Sequence, residues 1–295
     1  MWTIIAHGGA SGFTHEELLH IQRTNPNHPI LSDVSAEIEK GIKNAILEGI
    51  RSVQSGMGVE EVAVSVTVSL ENNELFNAGK GSSKTQDGGV EMDAVIMKGD
   101  EYGGIISCKN VKNPILLAQH IKKNYHHKVM CDTLEFPRVD DEYFHSDVKE
   151  TMYQNVRKVR YGTVGCVVSN LETGEMCVCS STGGSLRKEV GRVGDTPMPG
   201  VGSMIGDGGA VSSTGYGEEF MKHCPANRIL TVMELTKLPM YDCMKETFDR
   251  MRERSGGVIG IDRSGKPQAY MNSNSMHYGW WTGQDVVVEF YRGTK

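Results

Sequence analysis

Residues 161–195 read YGTVGCVVSNLETGEMCVCSSTGGSLRKEVGRVGD, and the fold class turns on how that stretch is parsed. Val164 to Ser169 and Met176 to Ser180 are rich in β-forming residues and bounded by glycine-bearing turns, so both are predicted as strands. Around them lie Gly162-Thr163-Val164-Gly165, Ser181-Thr182-Gly183-Gly184 and Gly191-Arg192-Val193-Gly194-Asp195. Each sets small, hydroxylic or charged residues among glycines, where backbone amides can come close to a ligand.

Upstream, Met1 to His7 reads as a first core strand. Ser35 to Ser55 places Ile38, Ile42, Ile46, Ile50 and Val53 at helical spacing, with Gly56 and Gly58 as a stop. A second helix is expected from Val59 to about Asn72, although Val66, Val68 and their β-branched neighbours leave a strand over Val62 to Val68 open. Glu91 to Met97 and Gly103 to Ser107 are expected strands, followed by a helix from about Pro114 to Lys123. Residues 124–160 carry His126-His127, several acids and Pro137 between uneven apolar positions, and are the best linker candidate. Downstream, a strand at Gly209 to Ser213 precedes helices over Glu218 to Leu235 and Met240 to Arg254. Terminal strands are expected at Val258 to Asp262, Gln268 to Met271 and Val286 to Tyr291. Runs of strands alternating with runs of helices, without regular repeats, imply one α/β (α+β) domain over residues 1–295, with stacked sheets covered by helices.

Composition narrows the function. The chain has 295 residues, 38% of them hydrophobic, and a formal net charge of -6. That balance argues against nucleic acid as a partner, since such proteins concentrate Lys and Arg. Seven cysteines without a Cys-x-x-Cys pair fit reduced thiols in a cytoplasmic protein, not a disulfide framework or zinc ribbon. The amino terminus lacks a basic leader, and no apolar run approaches the ~20 residues that span a bilayer, so a soluble protein without membrane contact is expected.

Several familiar motifs fail. Lys80 precedes Gly81 and Lys266 precedes Pro267, so no Walker loop exists. Gly200-Val201-Gly202 has Ile205 where a dinucleotide fingerprint needs its third glycine, and there is no Gly-x-Ser-x-Gly elbow. His15 and His20 are five apart, about 140° around a helix, so His15-Glu16-Glu17-Leu18-Leu19-His20 reads as an exposed polar segment and not a zinc-protease motif. His126-His127 lacks a paired acidic or cysteine ligand and reads as a solvated pair.

Taken in order, His7-Gly8-Gly9-Ala10, the Asn77 loop (Phe76-Asn77-Ala78-Gly79-Lys80-Gly81), Glu91-Met92-Asp93-Ala94, Lys112-Asn113-Pro114, the three motifs above, Thr214-Gly215-Tyr216-Gly217-Glu218 and Gly256-Gly257-Val258-Ile259 resemble the isoaspartyl peptidase and plant-type L-asparaginase family of N-terminal nucleophile hydrolases. The resemblance covers nearly the whole chain. It implies a four-layer αββα sandwich, self-cleavage at Gly162-Thr163 into parts 1–162 and 163–295, and association of two such αβ pairs.

The resemblance also implies the chemistry. A threonine hydroxyl needs a base within hydrogen-bond reach, and the α-amine freed on Thr163 supplies one; with a reference pKa of ~7.7 to 8.0 it is partly neutral at cellular pH. Thr163 is thus the expected nucleophile, with Thr182 and Asn77 orienting it and the Thr214 hydroxyl and Gly215 amide receiving the oxyanion. Arg192 and Asp195 are expected to pair with the α-carboxylate and α-ammonium of an aspartyl unit, with Gly217 beside the amine; the alternative for Arg192 and Asp195 is a surface pair bonded to each other. L-asparagine and β-aspartyl dipeptides are the implied substrates. No cofactor is expected beyond a structural sodium ion in the loop Leu70 to Ser82. The first loop departs from the family pattern at Ser11-Gly12, Lys80 and Tyr216 occupy positions at the site's rim, and the stretch before Thr163 is short. A glycosylasparaginase-like hydrolase, a threonine aspartase and an inactive scaffold of the same fold are the competing readings. The missing leader and paired cysteines weigh against the first, and Asp195 and Thr182 against the second.

Overall fold

A computed structural model describes residues 1–10, 15–132, 134–154 and 162–292. Ser11-Gly12 and Tyr161 lie outside them, as do Thr133 and residues 155–160 of the expected linker. In chain order the elements are β1 (Trp2–Ala10), α1 (His15–Thr24), α2 (Val34–Gln54), α3 (Val59–Glu71), β2 (Met92–Lys98), β3 (Glu101–Cys108), α4 (Pro114–Asn124), β4 (Val129–Cys131) and α5 (Asp147–Gln154). Then follow β5 (Val164–Asn170), β6 (Glu175–Thr182), β7 (Ser203–Gly206), β8 (Gly209–Gly215), α6 (Gly217–His223), α7 (Pro225–Thr236), α8 (Met240–Asp249), β9 (Gly256–Asp262), β10 (Pro267–Met271), β11 (Ser275–Trp281) and β12 (Val287–Arg292).

An eight-stranded sheet has the order β12-β11-β1-β5-β6-β2-β3-β4, and a four-stranded sheet the order β10-β9-β8-β7. The pairings are antiparallel except β3 with β4. The two-residue period of a strand assigns each side chain its layer. Ile4, Ala6, Cys166, Val168, Cys177 and Cys179 face the core under α2, α3 and α4. Their alternates Ile5, Val167 and Val178 meet Ala210, Ile259 and Ile261 of the small sheet. On that sheet's far side Val211 and Val258 pack against Ile229 of α7 and Met244 of α8. The result is the four-layer αββα sandwich, and the strand runs read from sequence become its two central layers.

The ambiguous segment after Val59 is helical. Val62, Ala63, Val66, Thr67 and Leu70 are all fully buried, because α3 lies against β5 and β6 with α2 alongside. Packing on more than one side overrides the modest helix preference of β-branched residues. Other differences have equally local causes. The segment holding His15 to His20 forms α1, whose Leu18 and Ile21 are buried while His20 stays exposed. The helix expected across Glu218 to Leu235 breaks at Cys224, which takes a left-handed φ of 46° ahead of Pro225. The linker candidate contributes β4 to the edge of the large sheet, and α5. All seven cysteines are unpaired thiols, and no helix of the described residues is long and apolar enough to cross a membrane.

Candidate active site

Thr163 immediately precedes β5, a central strand of the large sheet, and is 4% exposed. Its neighbours come from both sheets. His7 of β1 pairs in register with Gly165, and Ser181 of β6 pairs with Val164. A Cβ at Gly165 would overlap His7 and Ser212, so the glycine is what lets these residues pack behind Thr163. Burial drives the His7 imidazole down to about 3, offset only in part by the Thr163 backbone. It is therefore neutral, and its Nε2 lies 3.0 Å from Ser212 Oγ, which continues to Ser180 at 2.8 Å and Ser203 at 2.7 Å.

The carbonyl of Gly162 is held by two uncharged donors. Asn77 Nδ2 and Thr182 Oγ1 each donate to it at 2.8 Å. Both donors are themselves fixed: Asn77 Nδ2 also donates to the Gly184 carbonyl at 2.7 Å, its Oδ1 accepts from the Ser83 amide at 2.8 Å, and Thr182 Oγ1 accepts from the Gly184 amide at 3.0 Å. Asn77 and Thr182 thus grip the bond ahead of Thr163 and not its hydroxyl. That hydroxyl faces Thr196 instead, with Oγ1 atoms 3.3 Å apart. Sequence reading passed over Thr196, although it directly follows the Arg192 motif.

Thr214, at the end of β8 in the small sheet, closes the cleft from the other side. Its Oγ1 accepts the amides of Thr163 and Ala10, both at 3.1 Å. With both lone pairs engaged, the hydroxyl keeps its hydrogen for donation. Gly215 follows, and Gly9 at φ +109° lets β1 pass close to Gly162 and Thr163, where a Cβ would come within 3.3 Å of the Gly162 Cα.

The charged end of the cleft lies on the loop after β6. Arg192 Nε and NH2 reach Glu218 Oε1 at 3.0 and 2.9 Å, so Arg192 pairs with Glu218 of α6 and not with Asp195. Glu218 stands within the run quoted above but drew no role from sequence. Asp195 is 5% exposed, and its Oδ2 is buried without a hydrogen-bond partner among the described residues. Burial pushes its carboxyl up to about 7; Arg192 pulls the other way, while Asp93 and Glu218 add to the rise. Gly217 is required at this junction, since a Cβ there would sit 2.7 Å from Asp195 Oδ1 and 2.8 Å from Arg192 NH2. Beneath, Asp93 accepts the Ser107 amide at 2.8 Å, and Glu91 accepts the Gly191 amide at 2.7 Å.

The residues singled out from sequence, Asn77, Gly162, Thr163, Thr182, Arg192, Asp195, Thr214, Gly215 and Gly217, therefore come together, although they span both sheets and Asn77 lies 85 residues from Gly162. Lys80 is not among the residues lining the cleft. The metal-type grouping among the described residues is elsewhere, at His145, Asp147 and Glu150, where Glu150 already binds Lys84. His126 and His127 are exposed and stack edge to face.

A family model described as asparaginase matches residues 1–139 and 136–289. An isoaspartyl peptidase/L-asparaginase from Xenopus laevis is 30% identical, over 98% of this chain and 95% of its own. Its counterpart from Danio rerio is also 30% identical, over 97% and 94%, and a plant-type L-asparaginase from Pyrococcus furiosus is 29% identical, over 95% and 96%. With its αββα layers, its threonine at the head of β5 and these matches along nearly its whole length, the chain belongs to the asparaginase family of hydrolases, the group of the isoaspartyl peptidases and plant-type L-asparaginases.

Proposed function

We propose that the chain cuts itself between Gly162 and Thr163 and then uses the freed Thr163 to hydrolyse L-asparagine and β-aspartyl dipeptides. The observation that carries this reading is the Gly162 carbonyl, on the bond that leads into Thr163, fixed by Asn77 and Thr182. Two donors aimed at one carbonyl oxygen favour the charge that develops there when a nucleophile adds. Attack by Thr163 Oγ1 on the Gly162 carbon breaks the C–N bond and leaves an ester with a free amine. Water then opens the ester, releasing the Gly162 carboxylate and restoring the hydroxyl.

Cutting comes first for a steric reason. In the uncut chain the cleft has about 10 Å³ free, no more than a single water needs. Departure of Gly162 vacates the space in which Asn77 and Thr182 held its carbonyl. In turnover the new α-amine takes the Oγ1 proton as Oγ1 adds to the side-chain amide carbon, then passes it to the leaving nitrogen. The Thr214 hydroxyl and the Gly215 amide receive the oxyanion. Water finally clears the β-aspartyl ester. Arg192 binds the α-carboxylate while Glu218 holds its guanidinium in place, and Asp195 with Gly217 meets the α-ammonium.

The loop Leu70 to Ser82 suits the sodium ion that the family implies. Carbonyl oxygens of Glu71, Glu74 and Phe76 crowd against Gly79 and Gly81, where a side chain would collide with them. These neutral hard oxygen donors would hold a hard cation whose part is structural, bracing the Asn77 loop. Two cut chains are expected to associate as a dimer of αβ pairs, which sedimentation would test. The central test is the amino terminus of the smaller fragment after purification. It must begin Thr-Val-Gly-Cys, and any other start shows that the nucleophile lies elsewhere.

A further inference from the structure

Glu91 and Asp93, at the start of β2, are not among the residues lining the cleft. Both are buried, 3% and 0% exposed, and yet the loop that carries Arg192 and Asp195 is fastened to them at three points. Glu91 Oε2 accepts the Gly191 amide at 2.7 Å, the Glu91 carbonyl accepts Lys188 Nζ at 2.7 Å, and Asp93 Oδ2 accepts the Gly194 amide at 3.5 Å. Arg192 stands between two of these fastenings.

The guanidinium rests on this fastened backbone. A Cβ on Gly194 would come within 2.8 Å of Arg192 NH1, so the side chain folds across that glycine. On its other side Gly191 turns at φ +83°, and the Arg192 amide donates to the Glu189 carbonyl at 3.1 Å. The turn from Glu189 to Gly191 is exposed, and the Glu91 carboxylate ties it to the sheet. Charge keeps the arrangement open. Burial pushes the Lys188 ammonium down, opposed first by Asp93, and pushes the Asp93 carboxyl up, opposed first by Lys188. These two answer each other, while Arg192 reaches outward to Glu218 at 2.9 Å. Glu91 also meets Lys109 at 3.2 Å, but that lysine is 57% exposed and the pair adds little.

We propose that Glu91 is a positioning residue for substrate binding: by accepting the Gly191 amide it fixes the direction in which Arg192 presents its guanidinium to the α-carboxylate of the aspartyl unit. This rests on the reading of Arg192 given above. A short bond to a carboxylate acceptor leaves the turn little play, so the guanidinium is aimed before the substrate arrives. Self-cleavage does not call on it, because the grip on the Gly162 carbonyl comes from Asn77 and Thr182.

Two variants separate reach from charge. Glu91→Gln keeps an acceptor oxygen at the same reach without the charge, and Glu91→Asp keeps the charge one methylene short. With the cut enzyme and L-asparagine, Glu91→Asp should raise KM about fivefold, the ratio one hydrogen bond typically carries, with kcat and the rate of self-cleavage within about twofold of wild type. Glu91→Gln should restore KM, since its amide oxygen can accept the Gly191 amide. In an Arg192→Ala background Glu91→Asp should add less than about twofold, because residues that act through one group are not additive. An unchanged KM in the Asp variant, a Gln variant as impaired as the Asp one, or the full loss repeated on top of Arg192→Ala overturns the role of Glu91 and leaves the asparaginase reading intact. Equal slowing of cutting and turnover by Glu91→Asp overturns it too, because that marks general damage to the fold. If Arg192→Ala by itself leaves KM unchanged, the recognition reading and this inference fall together.

Discussion

The two ends of the cleft at Thr163 are built on opposite principles. Around the Gly162 carbonyl the holding groups are neutral and multiply bonded: Asn77, Thr182 and Thr214 make two or more well-directed bonds each. Around Arg192 they are charged and incompletely satisfied, with Asp195 Oδ2 and Glu218 Oε2 buried and unpartnered among the described residues. Saturation suits a site that must hold one peptide bond still, because each donor is preorganised before any charge develops. Unmet capacity suits a site awaiting a zwitterion, because buried polar groups persist unpaired where a ligand completes them. Bond making and recognition should therefore separate under mutation.

The largest effect is expected at the nucleophile. Thr163→Ala should give one uncut chain without amidase activity, as seen by intact mass and ammonia release. Thr163→Ser should cut and turn over in part, since serine keeps the oxygen but lacks the methyl that restricts χ1. Next comes the carbonyl grip. Loss of one donor in Thr182→Ala should slow the appearance of fragments by roughly 10² to 10³-fold, and cutting at the wild-type rate would remove Thr182 from that step.

At the charged end Arg192→Ala should cut normally yet raise KM for asparagine at least tenfold, from ~2 to 5 kcal/mol of lost charged pairing. Equal loss of cutting and turnover would make Arg192 structural. The same end should reject α-linked aspartyl dipeptides, in which the α-carboxyl is tied up in the peptide bond.

The smallest effects concern pH. Asp195 must be ionised to hold an ammonium, and its carboxyl lies at about 7. The kcat/KM should therefore fall as pH drops below 7, and Asp195→Asn should abolish that step along with most of the affinity. Stability runs the other way. The folded state keeps this proton up to about pH 7 while the unfolded chain releases it near 3.8, so the folded state binds more protons between these values and stability falls as pH rises through them. The penalty is absent below that window and fully present above it. Asp195→Asn should consequently raise Tm at pH 8 by about 2 °C or more and have a smaller effect at pH 5. A shift independent of pH would point to packing, not charge.

Much of this molecule was legible before its coordinates. The helical spacing of Ile38, Ile42 and Ile46 foretold α2, and the glycine-flanked β-formers around Cys166 and Val178 foretold β5 and β6. β11 escaped notice. Its Met276, His277 and Tyr278 are buried between β1 and β12, but a sequence of polar, aromatic and glycine residues shows no alternation. The short strand β7 escaped for the same reason.

Sequence alone singled out the candidate reactive residues, because Thr163, Arg192 and Asp195 sit in local motifs whose glycines are needed for close approach. It determined most element types as well, since periodicity reports which face of a segment is apolar. Only the tertiary structure decided what those residues touch. It turned Asn77 and Thr182 onto the Gly162 carbonyl, set Thr196 beside the Thr163 hydroxyl and paired Arg192 with Glu218. Such contacts join positions far apart in the chain across two sheets, and their distances follow from how the layers pack, which no local pattern records.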